Sequence, residues 1–336
     1  MKINVAIVGV SGYTGLELVK LILNHPKFKL SYVATSSGNS TLESLHPSLS
    51  NVVVQNVEIA KASNIAKNCE LVFLALPHKT AMGFAKELVA LNVKVVDLSA
   101  DYRLELKTYE KAYCLHEDKN NLKYSAYGLI EYFRDDIKNA KITASPGCYP
   151  TATLLGLLPF IPYIEEKSAI FIDAKSGVSG AGKKLSDVNT FVNINENIFA
   201  YNPLKHRHTP EIKEKIQKIY NKDFNINFVP HLIPITRGEL VSIYATLKED
   251  IDVNEILKNN YKNEPFIRLR DKPVNVKDVS GTHFCDIYAQ TNDKSLFISS
   301  AIDNLLRGAA SQALAAANIM LNLDENLGLP IIAYVP

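Results

Sequence analysis

Ile3-Asn4-Val5-Ala6-Ile7-Val8-Gly9-Val10-Ser11-Gly12-Tyr13-Thr14-Gly15-Leu16-Glu17-Leu18-Val19 is the stretch that decides the fold. Residues 3–8 are apolar and largely β-branched, which predicts a strand. Residues 16–24 have helical spacing, with Leu16, Val19 and Leu23 on one face. Between them stand three glycines in the pattern GxxGxxG. Glycine there lets the backbone turn tightly and approach a pyrophosphate, whose charge suits a helix N-terminus. The spacing departs from GxGxxG, and a plain strand-to-helix turn is the competing reading. A strand before and a helix after favour the dinucleotide site. Its expected residues are Gly9, Ser11, Gly12, Tyr13, Thr14 and Gly15.

The same alternation continues. Residues 30–35, 71–76 and 93–98 read as further strands, with a helix over 80–91. Continuous apolar strands separated by helices indicate a parallel sheet covered on both faces, and right-handed crossovers make it doubly wound. After residue 150 the texture changes. Strand-like runs appear at 169–174, 226–235 and 240–247, and as a pair at 284–290 and 296–301. Asn292-Asp293-Lys294 between the last two suits a hairpin turn. The alanine-rich helix expected over 304–323 is placed back against the first domain. The expected fold class is therefore α/β: a doubly wound parallel-sheet dinucleotide-binding domain plus an α+β domain with a largely antiparallel sheet. Residues 1–147 and 304–336 form the first, and 148–303 the second, which carries catalysis, substrate binding and oligomerisation.

Composition excludes several function classes. The chain has 336 residues, 47% of them hydrophobic and 21% charged, ordinary for a folded globular protein. Its net charge is +2, from 37 basic and 35 acidic residues, which argues against nucleic acid or a membrane surface as partner. No apolar run reaches the length of a membrane span, and Met1-Lys2-Ile3-Asn4-Val5 reads as a first strand rather than a signal peptide. Cysteines 69, 114, 148 and 285 form no CxxC pair, so no disulfide framework is expected, and a reducing cytoplasm is the default. Cys69, beside the run at 71–76, reads as core filler.

The second strand bears on the cofactor. It ends Ala34-Thr35-Ser36-Ser37 with no acid to hold a ribose 2′-hydroxyl. The hydroxyls of Ser36 and Ser37 can bond a 2′-phosphate that a carboxylate would repel, so NADP/NADPH is expected. Cys148 stands in Ser145-Pro146-Gly147-Cys148-Tyr149-Pro150-Thr151. Pro150 suits a first helical turn, so the thiol sits at a helix N-terminus, where the dipole favours thiolate. A buried cysteine in a turn is the alternative.

His206-Arg207-His208-Thr209-Pro210-Glu211 is the natural source of a base, with Thr209 read as N-cap, Pro210 as N1 and both histidines in the loop before. Loop capping and a metal-binding His-x-His pair are the blander readings; no second cluster of ligand spacing accompanies the pair, so no metal is expected. Arginine is scarce, seven against thirty lysines. Arg103, Arg207, Arg237 and Arg307 fall in conspicuous strings, where a guanidinium could bind carboxylate or phosphate or make a structural ion pair.

Four strings taken together resemble the N-acetyl-γ-glutamyl-phosphate reductase family of the semialdehyde dehydrogenase superfamily: Gly9 to Gly15, Asp97-Leu-Ser-Ala-Asp-Tyr-Arg103, Ser145 to Thr151, and His206 to Glu211. They occur in family order over most of the chain. Ser145 stands where the family often has Asn. The resemblance implies Cys148 as covalent nucleophile, His206 as acid/base with His208 and Glu211 in support, and Arg103, Arg207 and Arg237 on the substrate. It places the nicotinamide at Lys175 to Gly182, with Ser176, Gly177 and Gly180, and adds Pro77 and Asn304 to the cofactor residues. The implied reaction is NADPH-dependent reduction of N-acetyl-γ-glutamyl phosphate to N-acetylglutamate 5-semialdehyde through a cysteine thioester, in arginine biosynthesis, by a homo-oligomer (dimer or tetramer). Two rivals are a reductase of a carrier-protein-bound aminoadipyl phosphate in lysine biosynthesis, and a catalytically silent NADPH-sensing protein of the same fold.

Overall fold

Gly9 takes φ +97°, and a Cβ built on it would lie 2.2 Å from the Ala75 carbonyl oxygen, so the turn after the first strand admits only glycine. In the computed structural model, which describes residues 2–334, that turn joins strand Ile3–Val8 to helix Tyr13–Asn24. Contacts divide the chain into two units, residues 1–146 with 309–330 and residues 147–308 with 331–336. The expected boundaries fell at 147/148 and 303/304. The second crossing lies further on because Asp303, Asn304 and Arg307 bond to Gly281, Gly238, Ser179 and His283 of the second unit. Residues 331–334 also group with the second unit. Met1 and the last two residues of the expected 304–336 segment lie outside the described residues.

The first unit holds an eight-stranded sheet in the order Ser40–Thr41, Asn56–Ile59, Phe28–Thr35, Ile3–Val8, Leu71–Leu74, Lys94–Asp97, Ile142–Ala144, Ser125–Tyr127. All pairings are parallel except that of the first two strands. The central strands are buried on both faces, which is why their sequences run apolar without alternation. Helix Ser311–Met320 is buried throughout and packs in this unit against Tyr13–Asn24 and Ile130–Asn139, as its small alanines allow. It begins later than expected, after a π-helical turn at Leu306–Ala310.

The second unit holds a seven-stranded sheet in the order Phe199–Ala200, Asn225–Ile233, Ala169–Gly177, Glu239–Thr246, Ser295–Ile302, Cys285–Asn292, Ile267–Leu269. Its pairings are antiparallel except at Ala169–Gly177 with Asn225–Ile233 and at Ile267–Leu269 with Cys285–Asn292. The expected hairpin is present, with Asn292 paired to Ser295 and Asp293 at φ 50°. Glu239–Thr246 is the middle strand, and helix Cys148–Leu157 packs across it and Ser295–Ile302. Among the described residues no helix is long and apolar enough to cross a membrane.

Gly9→Ala is expected to destabilise the protein by about 3 kcal/mol, combining positive-φ strain with overpacking against Ala75. Urea midpoints of the two proteins check this.

Candidate active site

The nucleotide-binding features lie in the first unit. Gly12 is the N-cap of helix Tyr13–Asn24 and brings no side chain to its first turn, whose N–H groups have no acceptor within the helix. Those groups and the helix dipole suit pyrophosphate oxygens. Ser11 and Tyr13 are exposed and Thr14 half-buried at the same turn, and the His46 imidazole donates from Nε2 to the Val10 carbonyl at 2.6 Å, bracing it. Ser36 and Ser37 are exposed just beyond the second strand, while Thr35 Oγ1 accepts the Gly38 N–H. Pro77 is exposed beyond the strand Leu71–Leu74. These residues fit a nicotinamide dinucleotide.

Arg103 is buried in this unit. Its Nε donates to the Ser145 carbonyl at 2.7 Å and its Nη2 to the Leu98 carbonyl at 3.0 Å. The guanidinium thus ties the ends of two strands. Ser145 donates its own N–H to the Asp97 carbonyl.

Cys148 lies in the second unit as the first residue of helix Cys148–Leu157, with Gly147 as N-cap in extended conformation. Every later residue of the helix is buried, whereas Cys148 is partly exposed. The Glu211 carboxylate accepts the Gly147 N–H at 3.0 Å, so helix Thr209–Tyr220 anchors the turn that presents the thiol. His208 lies against the same turn: a side chain at Gly147 would begin 2.6 Å from His208 Nε2.

The two imidazoles are edge to face, 4.8 Å between centroids, and both meet the Tyr149 ring edge on at 5.9 Å. His206 is 8% exposed; burial, and then the charge of Arg207, hold its pKa down to about 4. It is neutral at pH 7. The His208 N–H donates to His206 Nδ1 at 3.2 Å, which leaves the ring proton on Nε2. Neutral His206 therefore offers a donor N–H. Arg207 itself is exposed. The helix begins one residue earlier than expected: His208 is the N-cap, Thr209 bonds backbone to backbone with His206, and the Thr209 hydroxyl is buried without a partner.

Sequence reasoning missed Glu239, Tyr149 and Tyr201. Glu239 heads the middle strand, paired to Ser176 on one side and Ile302 on the other, and is 0% exposed. Burial pushes its carboxyl up to about 8, opposed by its interaction with the Cys148 side chain. Tyr201 donates to the Tyr149 hydroxyl at 3.2 Å, and Tyr149 donates to the His231 carbonyl at 3.2 Å. Both phenols are raised above their ordinary range by burial, so they stay protonated.

Other expected residues are occupied in holding loops. Asn304 accepts the Gly238 N–H at 2.7 Å and donates to Ser179 Oγ at 3.0 Å. Ser176 is buried and donates to the Gly177 carbonyl, and Gly180 packs near Ser176 and Asn304. Arg237 is ion-paired with Asp303 at 3.2 Å and lies over the Tyr334 ring at 5.8 Å. Arg307 is buried against His283, with Nη1 donating to Nε2 at 2.6 Å.

The chain matches the family model "Semialdehyde dehydrogenase, NAD binding domain" over residues 4–140 and "Semialdehyde dehydrogenase, dimerisation domain" over residues 148–304. Aspartate semialdehyde dehydrogenase II of Vibrio cholerae, complexed with ASA, has the same fold, with a TM-score of 0.72 at 17% identity over 96% of this chain and 99% of that one. The Candida albicans aspartate semialdehyde dehydrogenase with NADP gives 0.71 at 14% identity, over 96% and 99%. The class is thus that of the two-domain semialdehyde dehydrogenases. The N-acetyl-gamma-glutamyl-phosphate reductase of Sulfurovum sp. (strain NBC37-1) is 65% identical over 99% of this chain and 100% of its own length. That of Wolinella succinogenes is 59% identical over 100% and 99%. The chain belongs to the N-acetyl-γ-glutamyl-phosphate reductases, as its four motifs led us to expect.

Because the folded protein resists protonating His206, stability is expected to fall as pH drops from 6.5 towards 4, with about 2 kcal/mol lost to this residue at pH 5. Buried His25 and His283 are held low as well, so the difference between the protein and His206→Gln isolates the effect. Urea midpoints at pH 7, 6 and 5 should decline less steeply in the variant.

Proposed function

We propose that this protein reduces N-acetyl-γ-glutamyl phosphate to N-acetylglutamate 5-semialdehyde with release of phosphate, a step of arginine biosynthesis, and that Cys148 carries the acyl group as a thioester. The observation that carries the reading is the partly exposed thiol at the first position of a buried helix, on a turn anchored by Glu211 and His208. The full-length relatives supply the substrate. The cofactor, when bound, supplies a hydride.

The chain's own residues do the rest. The helix start at Cys148 directs backbone N–H groups to where an oxyanion develops during attack and collapse. His206 serves as the acid/base of the reaction, its neutral ring presenting Nε2–H to an oxygen that gains charge. Glu211 and His208 hold the turn at Gly147. Arg103, Arg207 and Arg237 are the cationic groups we assign to the substrate's carboxylate and phosphate. Gly9, Ser11, Gly12, Tyr13, Thr14, Gly15 and Pro77 hold the dinucleotide, and Ser176, Gly177, Gly180 and Asn304 shape the nicotinamide pocket. Ser36 and Ser37, with no carboxylate nearby in sequence, suit the 2′-phosphate of NADPH.

In this reading the protein is a cytoplasmic homo-oligomer, dimer or tetramer. None of its four cysteines is in a disulfide, and Phe171 and Tyr244, paired across neighbouring strands, expose 55% and 47% of their surface on the sheet of the second unit.

Cys148→Ser is expected to abolish turnover while changing NADPH binding less than about threefold, a fraction of the 1.4 kcal/mol that a tenfold change represents. NADPH should exceed NADH in kcat/KM by about tenfold or more. The reverse assay checks both: N-acetylglutamate 5-semialdehyde with phosphate and NADP or NAD, followed at the nicotinamide band. Retained activity in the variant would sink the thioester scheme. Nucleotide binding without phosphate-dependent aldehyde oxidation would point to a silent sensor, and faster turnover of a carrier-bound aminoadipyl phosphate to the lysine-pathway reaction.

A further inference from the structure

In the first unit, the turn that leads into helix Thr80–Ala90 is exposed yet fastened from the interior. Pro77, His78, Lys79 and Thr80 are all exposed. Lys79, the N-cap, takes φ +70° and ψ −46°, a strained backbone for a residue with a side chain. It has no oxygen with which to cap the helix, and the first turn contains no acid. Asp101, 22 residues further on and 0% exposed, makes both bonds that a capping box would make. Its carboxylate accepts the Lys79 N–H at 2.8 and 2.9 Å and the Met82 N–H at 2.9 Å. Tyr109 donates its hydroxyl to the same carboxylate at 2.6 Å, and the Asp101 backbone is bonded to Ser99 Oγ and His116 Nε2. A Ser, Thr or Asp at position 79 would cap the helix with an ordinary extended backbone. What the buried clasp adds is one fixed shape for an exposed turn.

That turn stands where an open parallel sheet takes its ligand. From Ile3–Val8 the chain passes to Phe28–Thr35 on one side, and later returns with Leu71–Leu74 on the other, all three parallel. The strand order reverses at Ile3–Val8, and ligands bind beyond the carboxyl ends of strands at such a point. The segments leaving Ile3–Val8 and Leu71–Leu74 touch. The Ala75 N–H donates to the Val8 carbonyl at 2.8 Å, and the Ala75 oxygen is the atom that excludes a side chain at Gly9. Ser36 and Ser37 follow Phe28–Thr35, to one side of the glycine turn, and residues 77–80 follow Leu71–Leu74, to the other.

We propose that Asp101 is a positioning residue for the cofactor: through the Lys79 and Met82 N–H groups it holds the turn at 77–80 in the shape that seats the nicotinamide half of the dinucleotide. The assignment rests on the dinucleotide lying across the glycine turn with its 2′-phosphate at Ser36 and Ser37. A ligand so placed carries its other end over the opposite side, where the clasped turn is exposed. Asp101 is buried and acts only through the backbone it bonds. Because the strained turn is set before the ligand arrives, its ordering is not charged against binding.

Backbone hydrogen exchange over residues 76–82, read by mass spectrometry, tests the placement first in the native protein. NADPH should slow exchange there, whereas adenosine 2′,5′-bisphosphate, which lacks the nicotinamide half, should not. Asp101→Asn keeps the side chain's outline but sets an NH2 group where an acceptor stood. It should speed exchange over 76–82 in the free protein and raise the Kd of NADPH about tenfold, leaving that of the bisphosphate within about twofold. A residue that merely stabilised the domain would affect the two ligands alike. Tyr109→Phe removes one donor from the same carboxylate and should shift the same split by about two- to threefold; it serves where Asp101→Asn does not fold. Exchange as slow as in the native protein, an unchanged NADPH affinity, or equal losses for both ligands overturns the role of Asp101. NADPH that leaves exchange over 76–82 unaltered in the native protein overturns instead the placement of the nicotinamide half, and the proposal with it.

Discussion

Helix Cys148–Leu157 is buried at every position after its first, and that one packing constraint fixes the chemistry of the second unit. A helix buried all round can neither slide nor rotate against the strands beneath it without opening voids. Its N-terminus is consequently placed by the core, and the thiol inherits that placement. What remains adjustable is the turn before it, and there Glu211 fastens the Gly147 N–H. The nucleophile stands where a rigid element ends, which is how a site gains precision from packing rather than from its own flexible groups.

The same burial sets the protonation states around the thiol, in opposite directions for opposite charges. Desolvation penalises the charged form, so it lowers His206 to about 4 and raises Glu239 to about 8. Both groups are driven toward neutrality at pH 7 by a single cause. One becomes an N–H donor and the other a carrier of a proton that can still leave. Divergent environments for neighbouring titratable groups are the signature by which acid and base roles are told apart.

Legibility in the sequence followed the range of the interactions. The strand, turn and helix from Ile3 to Asn24 are contiguous, and their periodicities and glycines report local requirements. The hairpin at Asn292 to Ser295 was readable for the same reason. The start of helix Thr209–Tyr220 was misplaced by one residue because the backbone bond from Thr209 to His206 replaced the hydroxyl cap that the sequence suggests. The sequence offered Arg103 and Asn304 as substrate and cofactor residues but did not reveal what else they bond: strand ends in one case, the Gly238 and Ser179 loops in the other. A residue type advertises a hydrogen-bonding capacity, while the partner is chosen by the fold.

Glu239 shows the limit most sharply. In sequence it follows Arg237-Gly238 and precedes an apolar run, as any solvated residue at a strand edge would. Its strand is central only because Ala169–Gly177 and Ser295–Ile302, 70 and 56 residues from it at their first positions (239 less 169, and 295 less 239), flank it in space. Those long-range pairings convert an unremarkable acid into a wholly buried one. They also hold it there at a cost that grows as pH rises from 4.5 towards about 8, because the folded state keeps a proton that the unfolded chain has lost. A paired strand under a buried helix can bear that cost where a loop could not, because relieving it would require breaking the ladder on both sides. A destabilising carboxyl is thus kept on a strand paired on both sides and covered by the helix that carries the thiol.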